Sequence, residues 1–129
     1  MGEVKIEHAG SVKKGRFIII DGEPCNVVNV DVSKTGKHGH AKARIEGFSI
    51  FDNSRHTLLT PTHDKVEVPI IEKKPAQVLS VSGNNAQLMD LASYETFDIP
   101  IPEDMKDKVV PNAQITYWEV MDKRILKSG

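Results

Sequence analysis

Apolar residues along this chain recur at every second position in short runs, broken roughly every ten residues by Gly, Pro, Asn or Asp, the pattern of antiparallel strands in a small barrel or sandwich. Arg16–Ile20 is the first clear strand. Asp21-Gly22-Glu23-Pro24 follows with turn chemistry, Gly for a positive φ and Pro for a fixed one. From Cys25 to Ser33, Val28, Val30 and Val32 alternate with Asn29 and Asp31, which predicts a half-exposed antiparallel strand. Between positions 41 and 51, Ala41, Ala43 and Ile45 alternate with Lys42, Arg44 and Glu46, but Phe48 and Ile50 fall on the opposite parity. Gly47 sits at the slip and predicts a bulge or a barrel corner. These two strands make Lys34–His40 the tip of a β-hairpin, with Lys37 near its centre. Further strands are predicted over about 55–60 and 65–71, separated by Thr60-Pro61-Thr62-His63-Asp64.

Glu72-Lys73-Lys74-Pro75 is a polar break ending in proline, after which the strand pattern restarts. The expectation is two domains joined there, residues 1–71 and 72–129. The second half holds strands over Ala76–Ser82, Ala86–Leu91, Glu95–Ile99, Ala113–Val120 and Lys123–Leu126, with the turn Gly83-Asn84-Asn85 after the first. A helix is predicted over Glu103–Val109, opened by Pro102 with acids in its first turn, as the missing donor and the helix dipole favour. Five strands with a short helix between the third and fourth is the order of an OB-fold. On pattern alone an SH3-like barrel or a plain sandwich fits almost as well. The class is all-β in each case.

Composition leaves this picture of an ordinary soluble chain intact, with 39% hydrophobic and 27% charged residues among 129. The longest apolar run, Phe17-Ile18-Ile19-Ile20, is far too short to span a bilayer, the N-terminus has no hydrophobic signal core, and Ile6 stands where a myristoylation motif needs Ser or Thr. No membrane attachment is expected, and the expected location is the cytoplasm. Cys25 is the single cysteine, so an internal disulfide is excluded, and it reads as a small buried hydrophobe.

Charge changes the picture more, through its distribution. The net formal charge is −1, yet SKTGKHGHAKAR, residues 33–44, holds Lys34, Lys37, Lys42 and Arg44 and no acid, leaving 13 basic against 18 acidic residues elsewhere. A local cationic site therefore sits on an acidic body, where it can meet phosphate or RNA. Gly36 and Gly39 strip side chains from both flanks of Lys37, so its amine stands clear and the loop can enter a narrow cleft.

Other chemistries fail on spacing. Gly36-Lys37 has the end of a phosphate-binding P-loop, but Asp31 occupies the position of its first glycine and a strand follows in place of a helix. His38-Gly39-His40, with His56 or His63 as a remote third ligand, could form a metal site, but no carboxylate or Cys lies close by to complete it. There is no nucleophile elbow, and Cys25 has no neighbouring histidine. Asp21/Glu23 and Glu103/Asp104 fall in a turn and at a helix start, where capping is the commoner role. The residues point to a binding protein with no catalytic site, no metal and no bound cofactor.

SKTGKHGHAKAR resembles the modification loop of the translation initiation factor 5A family of archaea and eukaryotes, the hypusine-containing relatives of bacterial elongation factor P. The likeness continues through Gly15-Arg16-Phe17, Asp21-Gly22-Glu23-Pro24-Cys25, Pro61-Thr62-His63 and Val66-Glu67-Val68-Pro69, then Met89-Asp90-Leu91 and Tyr94-Glu95-Thr96. It implies an N-terminal SH3-like barrel followed by an OB-fold. It further implies that Lys37 receives an aminobutyl group derived from spermidine, by the action of deoxyhypusine synthase, giving deoxyhypusine or hypusine. Implied partners are the ribosome and peptidyl-tRNA, whose end the loop would support to promote peptide-bond formation at difficult sequences such as proline runs. Lys34, Lys42 and Arg44 would then contact phosphate, while His38 and His40 would bind RNA or present Lys37 to the modifying enzyme. A monomer of archaeal type is expected, lacking the acidic extension and helical tail of eukaryotic members. A generic RNA-binding barrel protein that needs no modification is the competing reading, and a metal-dependent enzyme a distant third.

Overall fold

The computed structural model describes residues 4–34 and 41–127. Among them are eleven strands, two short 3-10 turns and no α-helix. The strands are β1 (Val4–His8), β2 (Phe17–Ile20), β3 (Glu23–Ser33), β4 (Lys42–Ser49), β5 (Arg55–Pro61), β6 (Lys65–Pro69), β7 (Ile71–Ser82), β8 (Asn85–Asp90), β9 (Thr96–Pro100), β10 (Gln114–Val120) and β11 (Lys123–Ile125). The chain divides into two units, Met1–Ile70 and Ile71–Gly129. The protein is all-β, as its alternating pattern predicts.

In the first unit β2-β3-β4-β5 form an antiparallel meander, and β1 pairs with β6. β6 also lies beside β2, which curls the two sheets into a small barrel. Asp21 and Gly22 both have positive φ, 54° and 79°, between the paired Ile20 and Glu23, the geometry that a two-residue hairpin requires. The core gathers Ile18, Ile20, Cys25, Val27, Ala43, Ile45 and Val66 with Ala9 and Val12. Removing each of the larger aliphatic side chains from water contributes about 1.5–3 kcal/mol. Cys25 is fully buried, as expected, and burial pushes its thiol up to about 11.

The bulge expected at Gly47 is present, but β4 itself does not change parity there: the extra residue lies in the partner strand. Val27 pairs with Gly47 and Asn29 with Glu46, so Val28 is the bulged residue of β3. β4 keeps one buried face through Ala43, Ile45, Gly47 and Ser49, and Phe48 stays on the other face. In β3 the inward set switches from Cys25 and Val27 to Val30 across the bulge. Gly47 permits the close approach: a Cβ there would lie 2.9 Å from the Asn26 carbonyl oxygen.

The second unit is one five-stranded sheet in the order β11-β10-β7-β8-β9. Its ends are brought together by Arg124 of β11, which lies 4.3 Å from the Phe97 ring centre of β9 and bonds Glu95 at 2.9 Å. Strand order and the turn between β9 and β10 make it the OB-type barrel. Ala76, Val78, Ala86, Leu88, Ile99, Met105 and Tyr117 fill its interior.

Two expectations for this half are corrected. The linker expected at Glu72–Pro75 is the first part of β7, paired with β10 from Ile71↔Val120 onward. Its charged residues are held across the strands: Lys73 lies 4.8 Å over the Trp118 ring, and Lys74 bonds Glu119 at 3.2 Å. Pro75 is tolerated because its carbonyl points to the β8 side, where the β8 ladder starts only at Ala76, so its missing N–H breaks no ladder bond. The helix expected over Glu103–Val109 is a 3-10 turn, Glu103–Met105, followed by a turn in which Lys108 and Val109 both donate to the Met105 carbonyl. A single turn gains one or two hydrogen bonds for several fixed residues, too little to propagate a helix.

Asp90 is the buried carboxylate of this barrel. Its Oδ1 accepts from the Ala92 and Ser93 amides at 2.8 and 2.9 Å, and its Oδ2 accepts from the Tyr117 hydroxyl. The Tyr117 bond, then the two amides, hold the carboxyl down at about 2 from an ordinary 3.8. A depressed carboxylate stabilises the fold above its unfolded value and loses that contribution as pH falls through the folded one. Tyr117→Phe is therefore expected to lower unfolding free energy by about 1.5–3 kcal/mol at neutral pH. In urea titrations followed at Trp118, the difference from the wild type is expected to shrink as pH falls from about 4 towards 2. A pH-independent difference would contradict this account.

Candidate nucleic-acid interface

β3 and β4 stay paired up to Ser33↔Lys42, so the cationic segment follows the end of a long two-stranded arm. Lys37, His38 and His40 lie outside the described residues; the frame that holds them does not. On one leg Lys34 follows directly from β3 and is exposed. On the other, Ala41 precedes β4 and its carbonyl accepts from the Thr62 amide at 2.9 Å. Thr62 is held in turn, its carbonyl accepting from the Gly10 amide at 2.9 Å, while Ala9 donates to the Asp64 carbonyl at 2.8 Å. The base of the loop is thus tied through the β5–β6 turn to the 3-10 turn Ala9–Ser11, which packs Ala9 into the core.

Lys42 and Arg44 are two residues apart on the exposed face of β4, so both project to the same side. Their electrostatic situations differ. Glu46 bonds Arg44 at 2.6 Å and Arg55 at 3.1 Å, which partly spends the Arg44 charge. Neither Lys34 nor Lys42 has an ion pair among the described residues. Lys34 and Lys42 are the cations of the arm most open to a phosphate, and Arg44 sits one step further down it.

His56 lies away from the base of this loop. His56 pairs with Gly47, five residues along β5 from Pro61 at the loop base, roughly 17 Å at the ordinary strand rise. Both its ring nitrogens are occupied there: Nδ1 by Asp21 at 2.9 Å, Nε2 by Glu23 at 2.9 Å and by Ser54 Oγ at 2.8 Å. Ser54 gives its hydroxyl hydrogen to Asp52 at 2.6 Å, so every group facing the ring accepts, which suits an imidazolium. His63 is exposed, 3.7 Å from Asp64. Among the described residues no group of three His, Cys, Asp or Glu is placed to hold a metal ion.

A model of the N-terminal domain of translation initiation factor 5A-like proteins matches residues 3–64, which span the whole hairpin. The Thermofilum pendens protein named translation initiation factor 5A is 52% identical over 119 residues, covering 91% of this chain and 90% of that one. The Archaeoglobus fulgidus protein of the same name is 47% identical over 113 residues, covering 88% of each. The chain belongs to the translation initiation factor 5A family. Among solved structures it is similar to eukaryotic translation initiation factor 5A from Methanococcus jannaschii, with a TM-score of 0.87 at 43% identity over 94% of this chain and 90% of the other. A family protein from Naegleria fowleri aligns with a TM-score of 0.77 at 28% identity, over 97% and 96% of the two chains.

Membership of the factor 5A family makes the chain a translation factor with an N-terminal SH3-like barrel and a C-terminal OB-fold. Residue pattern alone does not reveal the support beneath the family's loop. β1 is not among the predicted strands, although Val4 and Ile6 alternate with Lys5 and Glu7, a usable period-2 signal. The Ala41–Thr62–Gly10 chain carries no such signal, because its bonds are between backbone groups. Among the described residues no helix is long and apolar enough to cross a membrane.

The carboxylates around His56 generate a pH dependence. The Asp21 bond, then Glu23 and Asp52 as nearby charges, raise the His56 value above 6.5 against the opposing effect of burial. A raised histidine stabilises the fold fully below its unfolded value and loses that contribution as pH rises through the folded one. The wild type is thus expected to lose stability relative to His56→Gln as pH rises above about 6.5. Paired denaturant titrations check this; a constant difference would show that His56 is neutral in the barrel.

Proposed function

We propose that this chain acts on the ribosome through a Lys37 side chain lengthened by an aminobutyl group, supporting the end of peptidyl-tRNA and promoting peptide-bond formation at difficult sequences such as proline runs. The observation that carries the reading is the continuous β3–β4 arm ending at Ser33↔Lys42, whose tip holds the K-T-G-K-H-G-H segment of a factor 5A family member. A barrel is too wide to enter a cleft lined by RNA, whereas a hairpin tip with glycines on both sides of one lysine is not. The added arm carries a second amine at greater reach, so one flexible side chain can contact phosphate and ribose oxygens together.

In this reading Lys34 and Lys42 hold the base of the arm against phosphates, and Arg44 assists while sharing Glu46 with Arg55. His38 and His40 contact RNA or present Lys37 to deoxyhypusine synthase. The Thr62 brace keeps the second leg at a fixed height, which limits the entropy lost when the loop docks. The protein is not itself an enzyme, holds no cofactor, and works as a cytoplasmic monomer.

Lys37→Arg separates charge from chemistry. On an exposed loop it is expected to change stability by no more than about 0.5 kcal/mol. Guanidinium stays protonated and offers no free amine to accept an aminobutyl group. The expected outcome is folded protein whose intact mass from its own host shows no addition, with little stimulation of synthesis on proline-rich templates. A generic RNA-binding barrel would instead keep near-normal activity after this change, and that result would refute the assignment.

A further inference from the structure

The second unit has seven Lys and Arg against nine Asp and Glu. Three of its cations are matched: Lys74 bonds Glu119, Lys106 bonds Glu103 at 3.1 Å, and Arg124 bonds Glu95. Lys73, Lys108 and Lys127 have no ion pair among the described residues, and these three line one groove of about 660 Å³. They reach it from separate parts of the barrel: Lys73 from β7, Lys108 from the turn before β10, and Lys127 from beyond β11. Gln114 and Thr116 of β10 add polar groups, Trp118 lies beneath the Lys73 ammonium, and among the described residues no carboxylate lines the groove.

Three ammonium groups without a carboxylate between them, on a net-acidic unit, repel one another in the free protein. They become favourable when an anion lies between them. We propose that this groove binds the phosphodiester backbone of a single-stranded RNA segment, as a second RNA contact separate from the hairpin tip. RNA is favoured over other polyanions because the chain is a translation factor, and because the groove pairs point charges with amide and hydroxyl groups that suit phosphate and ribose oxygens. The usual ligand face of an OB barrel, over its second and third strands, is poorly suited here: the groove on β8 and β9 is lined by Asp98 with Ser80, Ser82 and Gln87, and by no cation.

Trp118 is the only tryptophan in the chain and lines this groove, so its fluorescence reports binding there. The full-length protein is titrated at several salt concentrations with a uridine hexanucleotide, uridine monophosphate, inorganic phosphate and a hexaglutamate peptide. The hexanucleotide is expected to give a saturable change in Trp118 emission, with log affinity falling against log salt at a slope of about −2, near 0.7 for each of three phosphate contacts. Lys108→Gln/Lys127→Gln is expected to reduce the slope to about −0.7. Lys74→Gln/Lys106→Gln, which removes only paired cations, is expected to leave affinity within about twofold. Emission of the free variants, matched to the wild type, establishes that the barrel is intact. No response to the hexanucleotide, an equal response in the Lys108/Lys127 variant, or tighter binding of phosphate, mononucleotide or acidic peptide would overturn the proposal.

Discussion

The pairing of β3 with β4 governs most of what this protein can do. One residue, Val28, is extra in that ladder, and it decides which side of the long arm is buried. Ahead of it Cys25 and Val27 face the core; beyond it Val30 does. Without the bulge the outer half of β3 would turn its valines to water and its Asn29 and Asp31 inward, because a one-residue shift exchanges the two faces of a strand. The bulge in turn requires that nothing project from Gly47 towards Asn26. A single close backbone approach thus links the packing of the barrel to the direction in which the cationic tip is carried.

Charge is distributed by the same logic of place. Along the barrel walls many cations are matched: Arg16 with Glu7, Arg44 and Arg55 with Glu46, Lys74 with Glu119, Arg124 with Glu95. Such exposed pairs contribute little to stability one by one, and their larger effect is to weaken non-specific attraction for polyanions over much of the surface. What stays unmatched then biases where an anion can land. Lys34 and Lys42 at the arm, and the three lysines that converge on one groove of the second barrel, are among the groups left over.

A buried carboxylate and a half-buried imidazole have a structural part. Asp90 closes the turn after β8 by accepting two amides, and it ties that turn to β10 through Tyr117. His56 joins the β2–β3 turn to the start of β5 by bonding Asp21 and Glu23. In both cases a titratable group is satisfied on every side, which is the condition for burying it without penalty. These clusters make the stability of each barrel depend on pH.

Strand period and turn chemistry are properties of neighbouring residues, so alternation by itself marks most of the strands and Asp21-Gly22 marks a tight hairpin. The density of cations and glycines around Lys37 is legible for the same reason, since it lies in one stretch. The segment Glu72–Pro75 resembles a linker in isolation, because lysines and a proline favour one. It becomes a strand only when Trp118 and Glu119, more than forty positions later, supply partners for Lys73 and Lys74. Parity of the apolar residues suggests a slip at Gly47 within β4, yet β4 keeps one buried face and the spare residue is Val28 of β3; only the ladder decides that. The Thr62 brace and the groove of Lys73, Lys108 and Lys127 likewise belong to the tertiary structure alone. Backbone hydrogen bonds leave no mark on side-chain identity, and whether a lysine is neutralised depends on which carboxylate folding brings within reach of it.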